Sequence, residues 1–228
     1  MKRSELNKRL KDAVDFMQKM QFHLPPFAYF SPEKWNECGA EYDEIRDASL
    51  GWDVTDFGSG NFGKKGLLLF TIRNGVHNDS RYKKPYAEKI MVVEEEQVTP
   101  FHFHWSKQED IINRGGGVLL MQVYNATKEE TLGDTEVIIS KDGCKLSLPA
   151  GSVIRINPGE SVTVPQGLYH SFWAEKGKGK VLAGEVSMTN DDHTDNRFLE
   201  PTGRFPEIKE DEKPLYLLAN EYARKEDL

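Results

Sequence analysis

Cysteine is scarce in this sequence, which has only Cys38 and Cys144 among 228 residues. Two cysteines do not form the disulfide framework of a small secreted domain, and they fit a reducing compartment. Long apolar runs are missing as well. The sequence has no stretch of 18 apolar residues, which is about the length that a membrane helix requires. Residues 1–11 are too polar for a signal peptide, so we expect a cytoplasmic protein.

An excess of basic charge is also missing. The sequence has 30 Lys and Arg against 37 Asp and Glu, which gives a formal net charge of -7. Without a basic stripe we expect no nucleic-acid partner, and the acidic balance mainly aids solubility. The length suits one structural domain with a sizeable core. We divide it into a helical arm over residues 1–50, a β-barrel over 51–200 and a C-terminal extension over 201–228.

The first 50 residues have helical periodicity. Ser4 is a candidate cap for a first helix. A second helix should begin at Ser31-Pro32 and stop before Gly39, and a third should cover residues 41–50. A closing helix is predicted over 214–224. We expect the first helix to pack against the barrel, or across a dimer, through Leu6, Leu10, Ala13, Val14 and Met17.

From Gly51 onwards the pattern changes to short apolar segments separated by turn residues such as Asn74-Gly75 and Asp142-Gly143. Many short strands without alternating helices predict a mainly β sandwich or barrel. A glycine motif over 58–63 matches the dinucleotide-binding pattern, but a strand-like segment follows where that site requires a helix, so we reject it. The predicted strands cover 66–73, 86–94, 117–125, 135–140, 144–148, 152–156, 161–164, 168–173 and 180–187.

Two histidines two residues apart are the strongest chemical signal in the chain. On a strand, His102 and His104 would point to the same face. A turn over residues 106–108 would let the chain double back, so that Glu109 returns on the neighbouring strand. His170 follows a later turn and would complete a metal site with three imidazoles and one carboxylate. The simpler interpretation is a strand with two hydrogen-bonded histidines.

The segments around these residues match two known motifs. Residues 102–116 fit H-x-H-x4-E-x6-G, and residues 159–170 fit G-x5-P-x-G-x2-H. Together they resemble the cupin superfamily, which implies a jelly-roll β-barrel. The sequence departs from the usual pattern twice, with Glu96 in place of a glycine and Ala174 in place of an asparagine. Neither departure removes a metal ligand.

Three imidazoles and a carboxylate leave positions open on a six-coordinate ion, which is typical of a catalytic site. The donor set suits Mn, Fe, Co, Ni or Zn, and the ion could act as a Lewis acid or bind dioxygen. The polar run over residues 184–201 favours a ligand with many hydroxyl groups. An iron-dependent cupin dioxygenase and a non-catalytic sugar-binding barrel remain alternatives.

Over nearly its whole length the chain resembles the bacterial D-lyxose ketol-isomerases. The resemblance implies a homodimeric, Mn²⁺-dependent cupin enzyme that interconverts D-lyxose with D-xylulose and accepts D-mannose and D-fructose. The matching segments are P-P-F-A near residue 26, E-Y-D-E-I-R-D from Glu41, G-W-D-V-T-D-F-G-S-G from Gly51, L-L-L-F-T-I-R-N-G from Leu67, Y-A-E-K from Tyr86, E-D-I-I-N-R-G-G-G from Glu109, N-D-D-H-T-D-N-R-F-L-E-P from Asn190 and G-R-F-P-E-I from Gly203.

An isomerase of this kind needs a base that moves a proton between C1 and C2 of the sugar. Lys89 and Glu185 are candidates, because each lies on a predicted strand beside the ligands; Glu109 could also detach from the metal and act as the base, and a hydride shift stays open. Asp191 and Arg197 complete our list of catalytic residues as weaker candidates that would contact hydroxyl groups. Asp192, His193 and Asp195 are further candidates of that weaker kind.

Overall fold

The structure is a computed structural model and describes residues 1–192, 194–203 and 205–223. Within these residues, thirteen strands form two facing antiparallel sheets. The strands are β1 Gly51–Thr55, β2 Leu67–Arg73, β3 Tyr86–Val93, β4 Thr99–Phe103, β5 Glu109–Gly116, β6 Leu119–Asn125, β7 Val137–Lys141, β8 Cys144–Leu148, β9 Val153–Ile156, β10 Ser161–Val164, β11 Leu168–Ala174, β12 Val181–Met188 and β13 Arg197–Phe198.

The two sheets enclose the main core. One has eight strands in the order β1-β2-β3-β12-β5-β10-β7-β8, and the other has five in the order β13-β4-β11-β6-β9. Their inner faces carry alternating apolar side chains, such as Met91, Ile111, Met121 and Phe172, which are almost completely buried. This arrangement of paired antiparallel strands around one core confirms the mainly β, cupin-type barrel.

Three helices precede the barrel: α1 Arg3–Lys19, α2 Pro32–Glu37 and α3 Asp43–Asp47. As predicted, Ser31 caps α2, since its Oγ accepts a hydrogen bond from the Lys34 amide at 3.2 Å. The prediction that Ser4 caps α1 is wrong. That helix begins at Arg3, and the Ser4 hydroxyl instead donates to Asp211.

The apolar face of α1 covers the outer side of the eight-stranded sheet. Leu6, Leu10 and Met17 are buried against Phe70 and Ile90 in a second apolar cluster. The outer side of this part of the sheet is therefore closed to water, and only its inner side is left to carry a site. No helix in the described ranges is both long and apolar enough to cross a membrane.

The nine strands predicted after residue 65 are all present, with ends within two residues of the prediction. The segment after the glycine motif at 58–63 is β2, which confirms that no helix follows it. The closing helix is shorter than predicted. A single 3₁₀ turn covers Ala219–Glu221, and residues 224–228 lie outside the described ranges. Leu218 instead bridges to Trp52 of β1, so the segment before the turn is extended.

The two departures from the cupin pattern have different surroundings. Glu96 has a φ of +58°, in the left-handed region where glycine is favoured, which explains why a glycine is usual at this position. Its carboxylate lies 3.1 Å from Lys176 Nζ at the surface. Ala174 is completely buried at the end of β11. Neither position is one of the predicted ligands, so neither departure removes one of them.

A buried arginine, Arg3, links α1 to the C-terminal segment through ion pairs. Arg3 donates to Glu210 at 2.6 and 2.9 Å and also forms an ion pair with Glu221. The hydrogen bond from Arg3 lowers the pKa of Glu210. Because the folded pKa is below the unfolded one, this pairing stabilises the fold above about pH 4.3 and is lost as the pH falls.

We expect Arg3→Met to lower the free energy of unfolding at pH 7 by about 2 kcal/mol, because it breaks several charge-assisted hydrogen bonds that are only partly exposed. Urea unfolding measures this directly. The difference from the parent should shrink between pH 7 and pH 3.5. Lys8→Met is the control, since Lys8 pairs with Asp12 on the exposed face of the same helix. Equal effects of the two substitutions would contradict the prediction.

Candidate active site

Three histidines meet at one end of the barrel interior. His102 lies on β4 and is directly paired with His170 on β11, while His104 follows the last residue of β4. One ring nitrogen of each histidine lies within 4.8 Å of those of the other two. All three side chains are buried, and His170 is completely so. The predicted convergence of these three residues is therefore what the barrel produces.

The outer nitrogen of each imidazole is held by a backbone carbonyl. His102 Nδ1 is 2.8 Å from Pro100 O, His170 Nδ1 is 3.0 Å from Leu168 O, and His104 Nδ1 is 2.8 Å from Asp195 O. A carbonyl can only accept, so each Nδ1 carries a proton, and in the neutral form of the ring Nε2 is the nitrogen that can bind a metal ion. Burial, together with the neighbouring His170 and His104, lowers the pKa of His102 well below its ordinary value.

Glu109 reaches this cluster from the opposite sheet. It is the first residue of β5, which belongs to the eight-stranded sheet, whereas β4 belongs to the five-stranded one. The expectation that Glu109 returns on the strand next to β4 is therefore wrong, because the chain crosses between sheets. Its Oε1 lies 3.1 Å from His170 Nε2 and 3.5 Å from His104 Nε2.

The three histidines fit a divalent metal ion, and the Glu109 carboxylate lies beside two of them. The Nε2 atoms of His104 and His170 are buried and have no hydrogen-bond partner in the described ranges. Unpaired buried nitrogens of this kind are costly unless an ion or ligand engages them. Imidazole and carboxylate donors suit several transition metals, and the three-histidine cluster could bind such an ion.

Lys107 lies beside the histidine cluster, and its side chain is almost completely buried. Its Nζ lies 2.7 Å from Glu109 Oε2, 2.9 Å from Glu185 Oε1 and 3.0 Å from Asn190 Oδ1. Burial opposes the charge of Lys107, but the two carboxylates outweigh it and raise the pKa. For the Glu109 carboxyl, burial alone would raise the pKa, but Lys107 and His104 hold that pKa well below its ordinary value. Both groups are therefore charged at neutral pH.

A second lysine faces the same space. Lys89 on β3 and Glu185 on β12 are directly opposite each other across the sheet, and both side chains are buried. Lys89 Nζ is 3.4 Å from Glu185 Oε1 and 3.7 Å from Asp192 Oδ1. Both side chains therefore point into the interior of the barrel.

A cavity of about 70 Å³ lies among these groups. It combines apolar walls with two ammonium groups and three carboxylates, and a larger cavity of about 330 Å³ shares Asp192 with it. The smaller cavity is lined by Thr55, Phe57, Leu67, Leu69, Lys89, Met91, Thr99, His102, His104, Lys107, Glu109, Ile111, Phe172, Glu185, Asp192, Asn196 and Phe198.

The sequence model of the D-lyxose isomerase family matches residues 1–222. The chain belongs to the D-lyxose isomerase family. The D-lyxose/D-mannose isomerase of Serratia proteamaculans is 51% identical over 225 residues, which cover 98% of this chain and 99% of that protein. The corresponding protein of Escherichia coli O157:H7 is 52% identical over 223 residues, covering 97% and 98%.

Solved structures of other sugar isomerases share the fold of this D-lyxose isomerase family member. L-ribose isomerase of Cellulomonas parahominis, determined with L-ribose, has a TM-score of 0.61 at 15% identity, covering 92% of this chain and 98% of that one. L-ribose isomerase of Geodermatophilus obscurus has a TM-score of 0.62 at 15% identity, with the same coverage. At these identities the likeness concerns the fold alone.

Not every predicted residue of this family member lies at the cavity. Asp191 lines the larger neighbouring cavity, and its carboxylate accepts from the Thr194 hydroxyl at 2.6 Å. Arg197 is about one-third exposed and donates to Glu130 at 2.6 Å on the outer rim. Arg197 points away from the cavity because it alternates along β13 with Phe198, which lines the cavity. His193 lies outside the described ranges.

Lys107 was missed by the sequence analysis. It lies in the predicted turn over residues 106–108, where no periodicity assigns a side chain to a face. The sequence offered one weak signal, namely that Lys107 lies two residues before Glu109, a predicted metal ligand. Asp195 was also underestimated. Its carboxylate accepts hydrogen bonds from the amides of Ser106 and Lys107, both at 2.8 Å.

Proposed function

We propose that this protein interconverts D-lyxose with D-xylulose, and D-mannose with D-fructose, by moving a proton between C1 and C2 through an enediol. His102, His104, Glu109 and His170 would hold a divalent metal ion, for which we propose Mn²⁺. The observation that carries the proposal is the buried three-histidine cluster beside Glu185, Lys107 and Lys89. The family names D-lyxose and D-mannose point to the substrates.

When bound, the metal ion would supply Lewis-acid polarisation of the sugar oxygens at C1 and C2. Four protein donors leave coordination positions open, as a catalytic centre requires. The second, unligated nitrogen of each histidine donates to a carbonyl, which fixes the ring orientation. The protein therefore presents its donors already oriented, without rearrangement of the imidazoles.

We assign the role of base to Glu185. Its carboxylate would take the proton from C2 as the electron pair forms the C1–C2 double bond, and would then return that proton to C1. Over the two steps O1 gains a proton and O2 loses one. Burial beside apolar walls keeps competing water away from the carboxylate.

The two lysines would stabilise the charge that develops on the sugar oxygens. Lys107 and Lys89 each lie within 3.4 Å of Glu185, so their ammonium groups can also reach a substrate that contacts this carboxylate. Charged donors in a site with little water are worth several times more than in bulk solvent. Mutual pairing with Glu109 and Glu185 keeps Lys107 in place before the sugar arrives.

The remaining sugar carbons are proposed to extend towards the larger cavity. Asp192 lines both spaces, and Asp191 lines the larger one, so their carboxylates are placed to accept hydrogen bonds from hydroxyl groups. This assigns Asp191 to sugar binding and not to proton transfer. Arg197, which is paired with Glu130 on the rim, has no proposed part in proton transfer.

The proposal is tested with Mn²⁺-loaded protein and a panel of aldoses, with the ketose formed as the readout. D-Lyxose and D-mannose should react, and ketose formed in D₂O should carry deuterium at C1, because the proton passes through a group that exchanges with solvent. A chelator should abolish the activity and Mn²⁺ should restore it. Full activity of metal-stripped protein, or transfer without any deuterium, would refute the metal-assisted proton transfer.

The homodimer and the cytoplasmic location stay proposals that rest on the family resemblance. Light scattering coupled to gel filtration measures the first, with a mass near twice the 26.0 kDa of the chain as the expected result. A mass of one chain at micromolar concentration would count against the dimer. Fractionation of the native host measures the second.

A further inference from the structure

One of the three histidines is oriented differently from the other two. His102 and His170 each bond the carbonyl two residues earlier on their own strand. His104 has left its strand, and its Nδ1 partner is the carbonyl of Asp195, 91 residues later in the chain. The orientation of His104 therefore depends on the segment between β12 and β13, whereas the other two orientations are local.

The side chain of Asp195 makes a second set of contacts with the same loop. One carboxylate oxygen accepts from the Ser106 amide and the other from the Lys107 amide, each at 2.8 Å. Asp195 is 9% exposed, so these are charge-assisted bonds with little competition from water. The Asp195 amide is itself held by the Asp191 carbonyl at 3.0 Å.

We propose that Asp195 is a positioning residue that both orients the His104 ring and fixes the position of the Lys107 backbone. Its carbonyl fixes the proton on His104 Nδ1, and this turns Nε2 towards the cluster. Its carboxylate fixes the amide of Lys107, and this places Nζ between Glu109 and Glu185. One residue thereby couples the affinity for the metal to the geometry of the groups that serve proton transfer.

A side chain of the same shape with one fewer acceptor oxygen tests the coupling. In Asp195→Asn the amide group can accept from one of the two backbone amides, and its NH₂ group faces the other. We expect the Mn²⁺ affinity, measured by competition with a fluorescent chelator, to fall about 10- to 100-fold. At saturating Mn²⁺ we expect kcat to stay about tenfold or more below that of the parent, with KM changed little, because Lys107 is displaced.

Thr194→Val is the matched control. It removes the hydroxyl that donates to Asp191 within the same segment, and it removes none of the hydrogen bonds between Asp195 and residues 104–107. Its Mn²⁺ affinity and kcat should match those of the parent. Asp195→Asn values indistinguishable from those of Thr194→Val would overturn the proposal. So would a kcat that recovers fully once Mn²⁺ saturates the variant, because Asp195 would then affect the metal alone.

Two further measurements keep the test decisive. If Asp195→Asn does not fold, Asp195→Glu is measured in the same way, since its longer side chain cannot meet both amides without moving the loop. Parent-like Mn²⁺ affinity and kcat in that variant would also overturn the proposal. The comparison of kcat values rests on the proposed isomerase function, whereas the Mn²⁺ affinity is measured without sugar. An inactive parent with the expected loss of affinity would therefore refute the function and leave the positioning of His104 supported.

Discussion

Glu185→Gln is expected to lower kcat for D-lyxose by about 10²- to 10⁴-fold, which is the usual contribution of a general base. The amide has nearly the same shape as the carboxylate but cannot take a proton from C2. Glu185 is buried and paired with Lys107 and Lys89, so no solvent-exposed carboxylate can replace it. Steady-state kinetics with Mn²⁺-saturated enzyme measures the loss, and deuterium incorporation at C1 should slow by the same factor.

The control for this variant is Glu88→Gln. Glu88 lies on β3, where it points to the outer face of the same sheet and pairs with Arg73 at 3.0 Å. Its substitution should leave kcat within about twofold of the parent, as expected for a surface position away from the site. If Glu185→Gln keeps the parental rate while its Mn²⁺ content is unchanged, the base is another group.

His170→Ala is expected to abolish stoichiometric Mn²⁺ binding and, with it, isomerase activity. His170 is a proposed ligand whose side chain is completely buried, and its Nε2 lies 3.1 Å from Glu109 Oε1. Alanine leaves three of the four proposed donors, Glu109, His102 and His104. Metal content after dialysis, measured by atomic emission, should fall from about one ion per chain to about zero, since a lost ligand cannot be replaced by a neighbour.

His23→Ala provides the same substitution at an exposed position before the barrel. It should retain both Mn²⁺ and activity. Thermal unfolding separates loss of metal from loss of fold: added Mn²⁺ should raise the midpoint of the parent and of His23→Ala, but not that of His170→Ala, because only binding to the folded state stabilises it. Full Mn²⁺ occupancy in His170→Ala would show that the ligand set is wrong.

The residues predicted best lie on strands. His102, Lys89 and Glu185 face inwards as alternation requires, and a strand leaves its side chains only two directions. The antiparallel register then places Lys89 opposite Glu185, and His102 opposite His170. Periodicity predicts the facing side of each residue but not the partner strand, which depends on how the sheets assemble.

For residues that lie between strands, the sequence did not predict the direction of the side chain. Asp191, Asp192 and Asp195 are close in sequence, yet Asp191 lines the larger cavity, Asp192 lines both, and Asp195 holds the amides of the loop after β4. No repeating pattern distinguishes such neighbours, because each direction is set by hydrogen bonds to distant backbone. The direction of the Lys107 side chain could not be predicted for the same reason.

The amino-acid sequence by itself determined the many short strands, the helix that covers the barrel and the His-x-His pair, because these follow from local periodicity and turn chemistry. The tertiary structure alone decided that Glu109 approaches from the opposite sheet and that Lys107 is buried between two carboxylates. Both depend on where the chain crosses from one sheet to the other, and that crossing is fixed by the burial of the two inner faces against each other.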